Sequence, residues 1–227
     1  LSLDRILVVD DEPQIQRFLK PSLNAAGYDV VQAGTGAEAL KAVATAAPDV
    51  VILDLGLPDM DGKEVIAQLR GWSDIPIIIL SARDRETEKI AALDLGADDY
   101  IEKPFGIGEL TARIRTALRH KNRETAPTTR IEIDGLEIDM VRRIVSRDGT
   151  AIKLTPKEYD LLVLLARHAG RVVTHKTLLT SVWGPAHEED LHYLRVFIGQ
   201  LRQKIERNPA EPLIVRTEPG VGYRFTE

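Results

Sequence analysis

Three aspartates, a serine and a lysine stand where short aliphatic runs end. Asp10 and Asp11 follow Ile6-Leu7-Val8-Val9, and Asp54 closes Val50-Val51-Ile52-Leu53. Ser81 closes Ile77-Ile78-Ile79-Leu80, and Lys103 follows Asp99-Tyr100-Ile101-Glu102, just before Pro104. If these runs are parallel strands, the five side chains gather at the carboxyl rim of one sheet, where open α/β sheets bind ligands. Three carboxylates so close repel and raise one another's pKa. A hard cation relieves the repulsion, and Mg²⁺ binds through one or two carboxylates while keeping several waters. Asp54 then keeps an oxygen free to attack phosphorus and form an aspartyl phosphate. The Lys103 ammonium and Ser81 hydroxyl are the partners that a new phosphoryl group needs, and small Ala82 leaves room for it. Singly these residues read as a solvated turn, a cap and a surface Lys-Pro. Their recurrence at four strand ends is what points to chemistry.

The secondary structure that would carry these residues can be read as well. The aliphatic runs are apolar on both faces, as in parallel strands covered by helices on each side. Asp29-Val30-Val31-Gln32 is a weaker strand candidate. Helically spaced apolar sets, such as Ile15, Leu19 and Leu23 or Val65, Ile66 and Leu69, lie between the runs. Five β-then-α units predict an α/β doubly wound domain over residues 1–120.

After residue 120 the pattern changes. Lys121 to Thr129 is polar, contains a proline and has no apolar period, and so reads as a linker. Residues 130–227 form a second domain. Ile131, Ile133, Leu136 and Ile138 lie near period two with one slip, and Ile144–Arg147 and Ala151–Leu154 flank an Asp148-Gly149 hairpin turn. Thr155-Pro156-Lys157-Glu158 opens a helix with a capping box. A second helix runs from Thr174 to about Trp183, a third from about Glu189 to Arg207, and a final hairpin turns at Pro219-Gly220.

Composition narrows the classes. Among 227 residues 44% are hydrophobic, enough to build cores, and cysteine is absent, which removes disulfides and thiolate sites. No aliphatic run approaches the ~20 residues of a membrane span, and the first residues lack a signal-peptide pattern. The expected location is cytoplasmic, without a membrane partner. The net charge of −5 lies wholly in residues 1–123, with 15 basic and 20 acidic side chains; the rest carries 15 of each. Within that neutral half, residues 195–207 have four basic and one acidic side chain. On a helical projection Leu194, Ile198, Leu201 and Ile205 share one side, opposite His192, Val196, Gly199, Gln200, Gln203 and Arg207. Arg and Gln can read base edges bidentately, and an exposed Val can meet a thymine methyl. A recognition-type helix before a terminal hairpin describes a winged helix-turn-helix.

The stretches VVDDE, DLGLPDMDG, LSAR, ADDY and KPF, at these spacings, resemble the receiver domain of a two-component response regulator. The resemblance implies a flavodoxin-like (βα)5 fold and Mg²⁺-dependent phosphoryl acceptance from a sensor histidine kinase. It makes Asp54 the phosphoacceptor, Asp11 a direct metal ligand, Asp10 its acidic partner through water, and the Gly56 carbonyl the backbone ligand. Ser81 becomes the switch hydroxyl, Tyr100 the aromatic that reorients with it, and Lys103 the phosphoryl partner. It further implies pairing of two active receivers through Lys89–Glu109, Asp99–Arg113 and Asp94–Arg115, around Ile90, Leu93 and Ala112. The residues alone read as solvated faces with local pairs such as Glu109–Arg113.

LTPKEYDLL, GRVVTHKTLL, VWG and GVGYRF are similar to the effector domain of OmpR/PhoB-type regulators. That likeness places base reading on Tyr193, Arg195, Val196 and Gln200, and a phosphate contact on Arg202. Pro219 stands where some relatives carry a wing arginine, so either Arg216 or Arg224 substitutes or the wing contact is lost. The implied partners are double-stranded promoter DNA, RNA polymerase and a second, phosphorylated copy. LRGWSDIPIIILSAR, KPFGIGEL and GQLRQK resemble the branch of this family that governs potassium-uptake operons. The weighed alternative is a Mg²⁺-dependent aspartyl-phosphate phosphohydrolase with an appended protein-binding winged helix. Such enzymes place a general-acid Asp two residues after the nucleophile, where this sequence has Gly56.

Overall fold

A computed structural model describes residues 3–82, 86–123 and 129–226. The chain divides into two compact units, Leu1–Thr125 and Ala126–Glu227.

The first unit runs β1 (Arg5–Val9), α1 (Pro13–Ala25), β2 (Asp29–Ala33), α2 (Gly36–Ala46), β3 (Val50–Asp54), α3 (Gly62–Arg70), β4 (Ile77–Ala82), α4 (Glu86–Asp94), β5 (Asp99–Lys103) and α5 (Ile107–Arg123). All strand pairs are parallel, in the order β2-β1-β3-β4-β5. This is the α/β doubly wound receiver architecture read from the sequence. Ile6–Val9, Val50–Leu53 and Ile77–Leu80 are wholly buried, because helices cover both faces of the central strands. Register then brings the chemistry together. Val9 pairs with Leu53, which sets Asp10 level with Asp54, and Ala82 pairs with Lys103.

The expected linker began too early. Residues 121–123 form the last turn of α5. Lys and Arg are good helix formers and suit a helix C-terminus, so loss of an apolar period did not end the helix. Residues 124–128 lie outside the described residues.

The second unit contains β6 (Arg130–Ile133), β7 (Leu136–Asp139), β8 (Ile144–Arg147), β9 (Thr150–Ala151), α6 (Pro156–Arg167), β10 (Val172–Thr174), α7 (His175–Trp183), a 3-10 turn (Pro185–His187), α8 (Leu191–Ile205), β11 (Val215–Glu218) and β12 (Gly222–Phe225). β6–β9 form one antiparallel sheet, and a second has the order β10-β12-β11. The slip in the apolar period is a second two-residue turn. Asp134 and Gly135 have φ of 47° and 76°, like Asp148 and Gly149 at 48° and 79°. Both dipeptides suit the left-handed positions of a type I′ hairpin. The strand expected to reach Leu154 stops at Ala151, since the chain turns into the Thr155 cap of α6. β10, three buried residues paired with β12, was not expected; it is too short to show a period.

Candidate functional site

At the rim of the first unit, Lys103 is the hub. Its Nζ lies 2.8 Å from Asp54 Oδ1, 3.2 Å from Asp10 Oδ2 and 3.2 Å from Glu12 Oε1. The second Asp54 oxygen accepts the Gly56 N–H at 2.9 Å, and Asp10 Oδ1 accepts the Glu12 N–H at 2.8 Å. Asp10 is fully buried, and burial pushes its carboxyl above the ordinary carboxylate range against the pull of the Glu12 N–H and Lys103. Burial also opposes the Lys103 charge, but the hydrogen bond and attraction to Asp54, with Asp10 behind them, raise its pKa overall. Asp11 is exposed. Among the described residues no three acidic or histidine side chains form a ready metal cage. The donor set nevertheless suits a hard cation: Asp10 and Asp54 already turn one oxygen each toward a single positive centre.

The loop after β3 holds residues the sequence reading left without a role. Asp59 accepts the N–H groups of Gly36 and Ala37 at 2.8 and 2.9 Å, closing the start of α2, and those bonds hold its carboxyl below the ordinary range. Asp61 caps α3 through the Lys63 N–H. A Cβ at Gly62 would lie 2.7 Å from Leu55 Cα and 2.8 Å from Asp54 O. Asp61, just before the apolar-periodic segment of Val65, Ile66 and Leu69, was the available signal, since Asp is a preferred N-cap.

Ser81 is buried and its hydroxyl donates to Ala82 O at 3.2 Å, while Ala82 is exposed. Tyr100 is buried, with the Lys89 ammonium 4.3 Å above its ring. On the expected pairing face, Lys89, Asp99, Glu109 and Arg113 all have partners within the chain. Lys89 bonds Glu102 at 2.8 Å, not Glu109 of another copy, and Arg113 bridges Asp99 and Glu109, each at 2.9 Å. Lys89, Leu93 and Asp99 are buried in the single chain, because α4 and α5 close over β5. Ile90 is half-buried, and Asp94, Ala112 and Arg115 are exposed.

In the second unit Leu194, Ile198, Leu201 and Ile205 are buried, and α8 presents His192, Tyr193, Arg195, Val196, Gly199, Gln200 and Gln203 outward. Tyr193 also packs on Trp183 and Phe197, with ring centroids 5.5 and 4.8 Å away. Two expected nucleic-acid contacts are spent inside the fold. Arg202 donates to Val215 O and Thr217 Oγ1. Arg224 pairs with Glu218 at 2.7 Å and donates to Gly170 O. Both are half-buried, so their guanidinium groups satisfy polar atoms that would otherwise be orphaned. Arg216 is exposed on β11 and makes no ion pair among the described residues. Lys204 in the last turn of α8 pairs with Glu158, and Arg207, which lies two residues beyond the helix rather than on its outward face, pairs with Asp134 and Asp148.

Comparison with known proteins matches both units. The model of the response regulator receiver domain matches residues 6–115, and that of the transcriptional regulatory protein C-terminal domain matches residues 149–225. The KDP operon transcriptional regulatory protein KdpE of Escherichia coli is 49% identical over 98% of this chain and 99% of its own length. KdpE of Mycobacterium tuberculosis H37Rv is 50% identical over 97% of this chain and 98% of its own. MtrA, a DNA-binding response regulator of Mycolicibacterium smegmatis, is 43% identical over 97% and 96%. Among solved structures, the Thermotoga maritima OmpR/PhoB homolog DrrB aligns over 100% of both chains at 32% identity, with a TM-score of 0.51. No described helix is long and apolar enough to cross a membrane.

Proposed function

The chain belongs to the OmpR/PhoB-type response regulators, and from that premise we propose that Asp54 accepts a phosphoryl group from a sensor kinase and thereby controls promoter binding by the second unit. The observation that carries this is the Lys103 ammonium shared between Asp10 and Asp54 at the carboxyl edge of the sheet. In the transfer an Asp54 oxygen bonds phosphorus while the bond from phosphorus to the kinase imidazole nitrogen breaks, and the electron pair stays on that nitrogen. The Gly56 N–H fixes one Asp54 oxygen and Lys103 the other, so the carboxylate is oriented before the donor arrives. Lys103 and the Ser81 hydroxyl then receive phosphoryl oxygens. Asp10, Asp11, Asp54 and the Gly56 carbonyl would hold Mg²⁺, which supplies charge neutralisation for the transferred group. The chain's own chemistry is its phosphorylation and slow dephosphorylation, without turnover on a small substrate. A hydrolase would need an acid where Gly56 stands, and Gly56 has no side chain to supply one.

The phosphorylated receivers pair through α4, β5 and α5. Lys89, Asp99 and Arg113 must exchange their partners within the chain for Glu109, Arg113 and Asp99 of the second copy. Because these charges already hold partners within each chain, the exchange gains only ~0–1 kcal/mol per pair, so pairing waits for the phosphoryl signal. Paired chains present α8 to the major groove through Tyr193, Arg195, Val196 and Gln200, with Arg216 as the wing contact, and recruit RNA polymerase in the cytoplasm. The printed name of the E. coli relative ties it to the KDP operon. At 49% identity over nearly the whole chain, a potassium-uptake promoter is the proposed target here.

Sedimentation with Mg²⁺ and beryllofluoride, a phosphoryl mimic, tests the reading. A monomer-to-dimer shift that Asp54→Asn lacks is expected; a shift that survives in the variant would remove Asp54 as acceptor.

A further inference from the structure

β11 is the edge strand of its sheet, so the outward N–H and C=O of Val215 have no strand to pair with. Arg202 in the last turn of α8 and Glu206, the residue that caps its C-terminus, take their place. Arg202 donates to Val215 O through Nε at 3.0 Å and Nη2 at 2.6 Å, and Nη2 reaches Thr217 Oγ1 at 2.9 Å. The Glu206 carboxylate accepts the Val215 N–H at 2.8 Å, and those of Ile214 at 3.0 and 3.1 Å and Leu213 at 3.0 Å. The Arg202 guanidinium also lies 5.6 Å from the Tyr223 ring on β12, the cross-strand partner of Thr217. The helix therefore grips both polar atoms of a single peptide residue and touches both strands of the hairpin.

From this geometry we infer that Arg202 is a positioning residue of DNA binding. Rather than bonding a phosphate itself, it fixes the β11–β12 hairpin to α8, so that Arg216 reaches the DNA backbone while α8 lies in the groove. The inference rests on the DNA-binding reading above. Arg216 directly follows the gripped residue, and a rotation of the hairpin about Val215 would move it first. A lysine at 202 would keep a charge for a phosphate but lacks the planar fork that reaches Val215 O and Thr217 Oγ1 together.

The test uses the full chain activated with Mg²⁺ and beryllofluoride, and a duplex enriched by the wild-type protein in that state from random-sequence duplexes. Affinity is measured against salt for wild type, Arg202→Lys, Arg216→Ala and the double variant. Each phosphate contact contributes about 0.9 to the slope of log affinity on log salt. If Arg202 positions the wing, each single variant lowers the slope by about 0.9 per bound protomer, and the double variant lowers it no further. Arg202→Lys then weakens binding about tenfold, near the worth of one charged hydrogen bond. A near-wild-type Arg202→Lys overturns the inference, as do additive slopes or an Arg216→Ala variant of unchanged slope. If Arg202→Lys loses its fold by circular dichroism, Thr217→Val, which removes one acceptor only, takes its place and must show the same non-additivity. Failure of the wild type to enrich any duplex would overturn the DNA-binding reading and this inference with it; enrichment followed by additive slopes would overturn the inference alone.

Discussion

The Lys103 ammonium lies 2.8 Å from Asp54 Oδ1, although the two residues end strands β5 and β3 with β4 between them. The strand-end acid is thus ion-paired before any donor arrives. The same nitrogen neutralises Asp10, which is fully buried and has no route to water for its charge. Removing the lysine should therefore expose a conflict between acids that the resting protein hides.

Lys103→Gln is expected to cost about 2 kcal/mol in the absence of metal, because it leaves a buried carboxylate without its cation. Added Mg²⁺ should then raise the melting temperature of the variant more than that of wild type, since a ligand stabilises the state that binds it. Calorimetry of both proteins with and without Mg²⁺ checks this. Equal shifts would mean that Lys103 and the metal do not answer the same charge.

Glu158 gives a pH prediction for the second unit. It is 2% exposed, closes the Thr155 capping box and bonds Lys204 at 2.6 Å. Burial works against its charge, but Lys204 and the Thr155 N–H and hydroxyl outweigh it and lower its pKa below 4.5. A carboxyl lowered on folding contributes stability that is full above its unfolded pKa and is lost as pH falls through the folded value. Glu158→Gln should thus be less stable than wild type by about 1–2 kcal/mol at neutral pH. The two denaturation curves should approach each other only below pH 4.5. A gap that stays constant to low pH would assign the loss to packing rather than to charge.

Lys89 separates pairing within the chain from pairing between chains. Its ammonium bonds Glu102 and lies over Tyr100, and the residue is 4% exposed. Lys89→Ala should destabilise the unphosphorylated monomer by about 1 kcal/mol through the lost cation–π and ion-pair contacts. Urea unfolding of the monomer reads this directly. An unchanged midpoint would return Lys89 to a role only in the dimer.

The reach of the sequence had a physical limit. Aliphatic runs buried on both faces announced β1, β3 and β4, and strand ends announced Asp10, Asp54, Ser81 and Lys103, because period and topology are local signals. Which charges would find partners was not local. Arg202 and Arg224 looked like surface cations on a helix and a wing, yet their partners Val215 and Gly170 lie 13 and 54 residues away. The same holds for the Lys89–Glu102 and Arg113–Asp99 pairs, which depend on how α4 and α5 close over β5, whereas Arg113–Glu109, at i,i+4, is local and legible. The linker boundary differs for the opposite reason: a polar run without apolar period is as compatible with helix as with loop, and α5 continues to Arg123.

Gly62 is the sharpest case in which sequence offered only a letter. It opens α3 where the loop after β3 folds back on the strand, and its N–H donates to Leu55 O at 2.9 Å. An added Cβ would meet Leu55 Cα at 2.7 Å and Asp54 O at 2.8 Å, both backbone atoms that cannot rotate away. At Gly36 the nearest obstacle is instead the Met60 side chain, which can shift. Gly62→Ala should therefore cost about 2 kcal/mol, in the range of overpacking a tight contact, and displace the Asp54 carbonyl. Gly108→Ala in α5, where a Cβ meets nothing within 4 Å, should instead be neutral or gain about 0.5–1 kcal/mol. Because displacement at Asp54 also moves its carboxylate, Gly62→Ala should slow phosphoryl acceptance from a small donor such as acetyl phosphate, while Gly108→Ala leaves it unchanged. Equal rates in the two variants would show that the close approach at Gly62 serves the fold and has no hold on the acceptor.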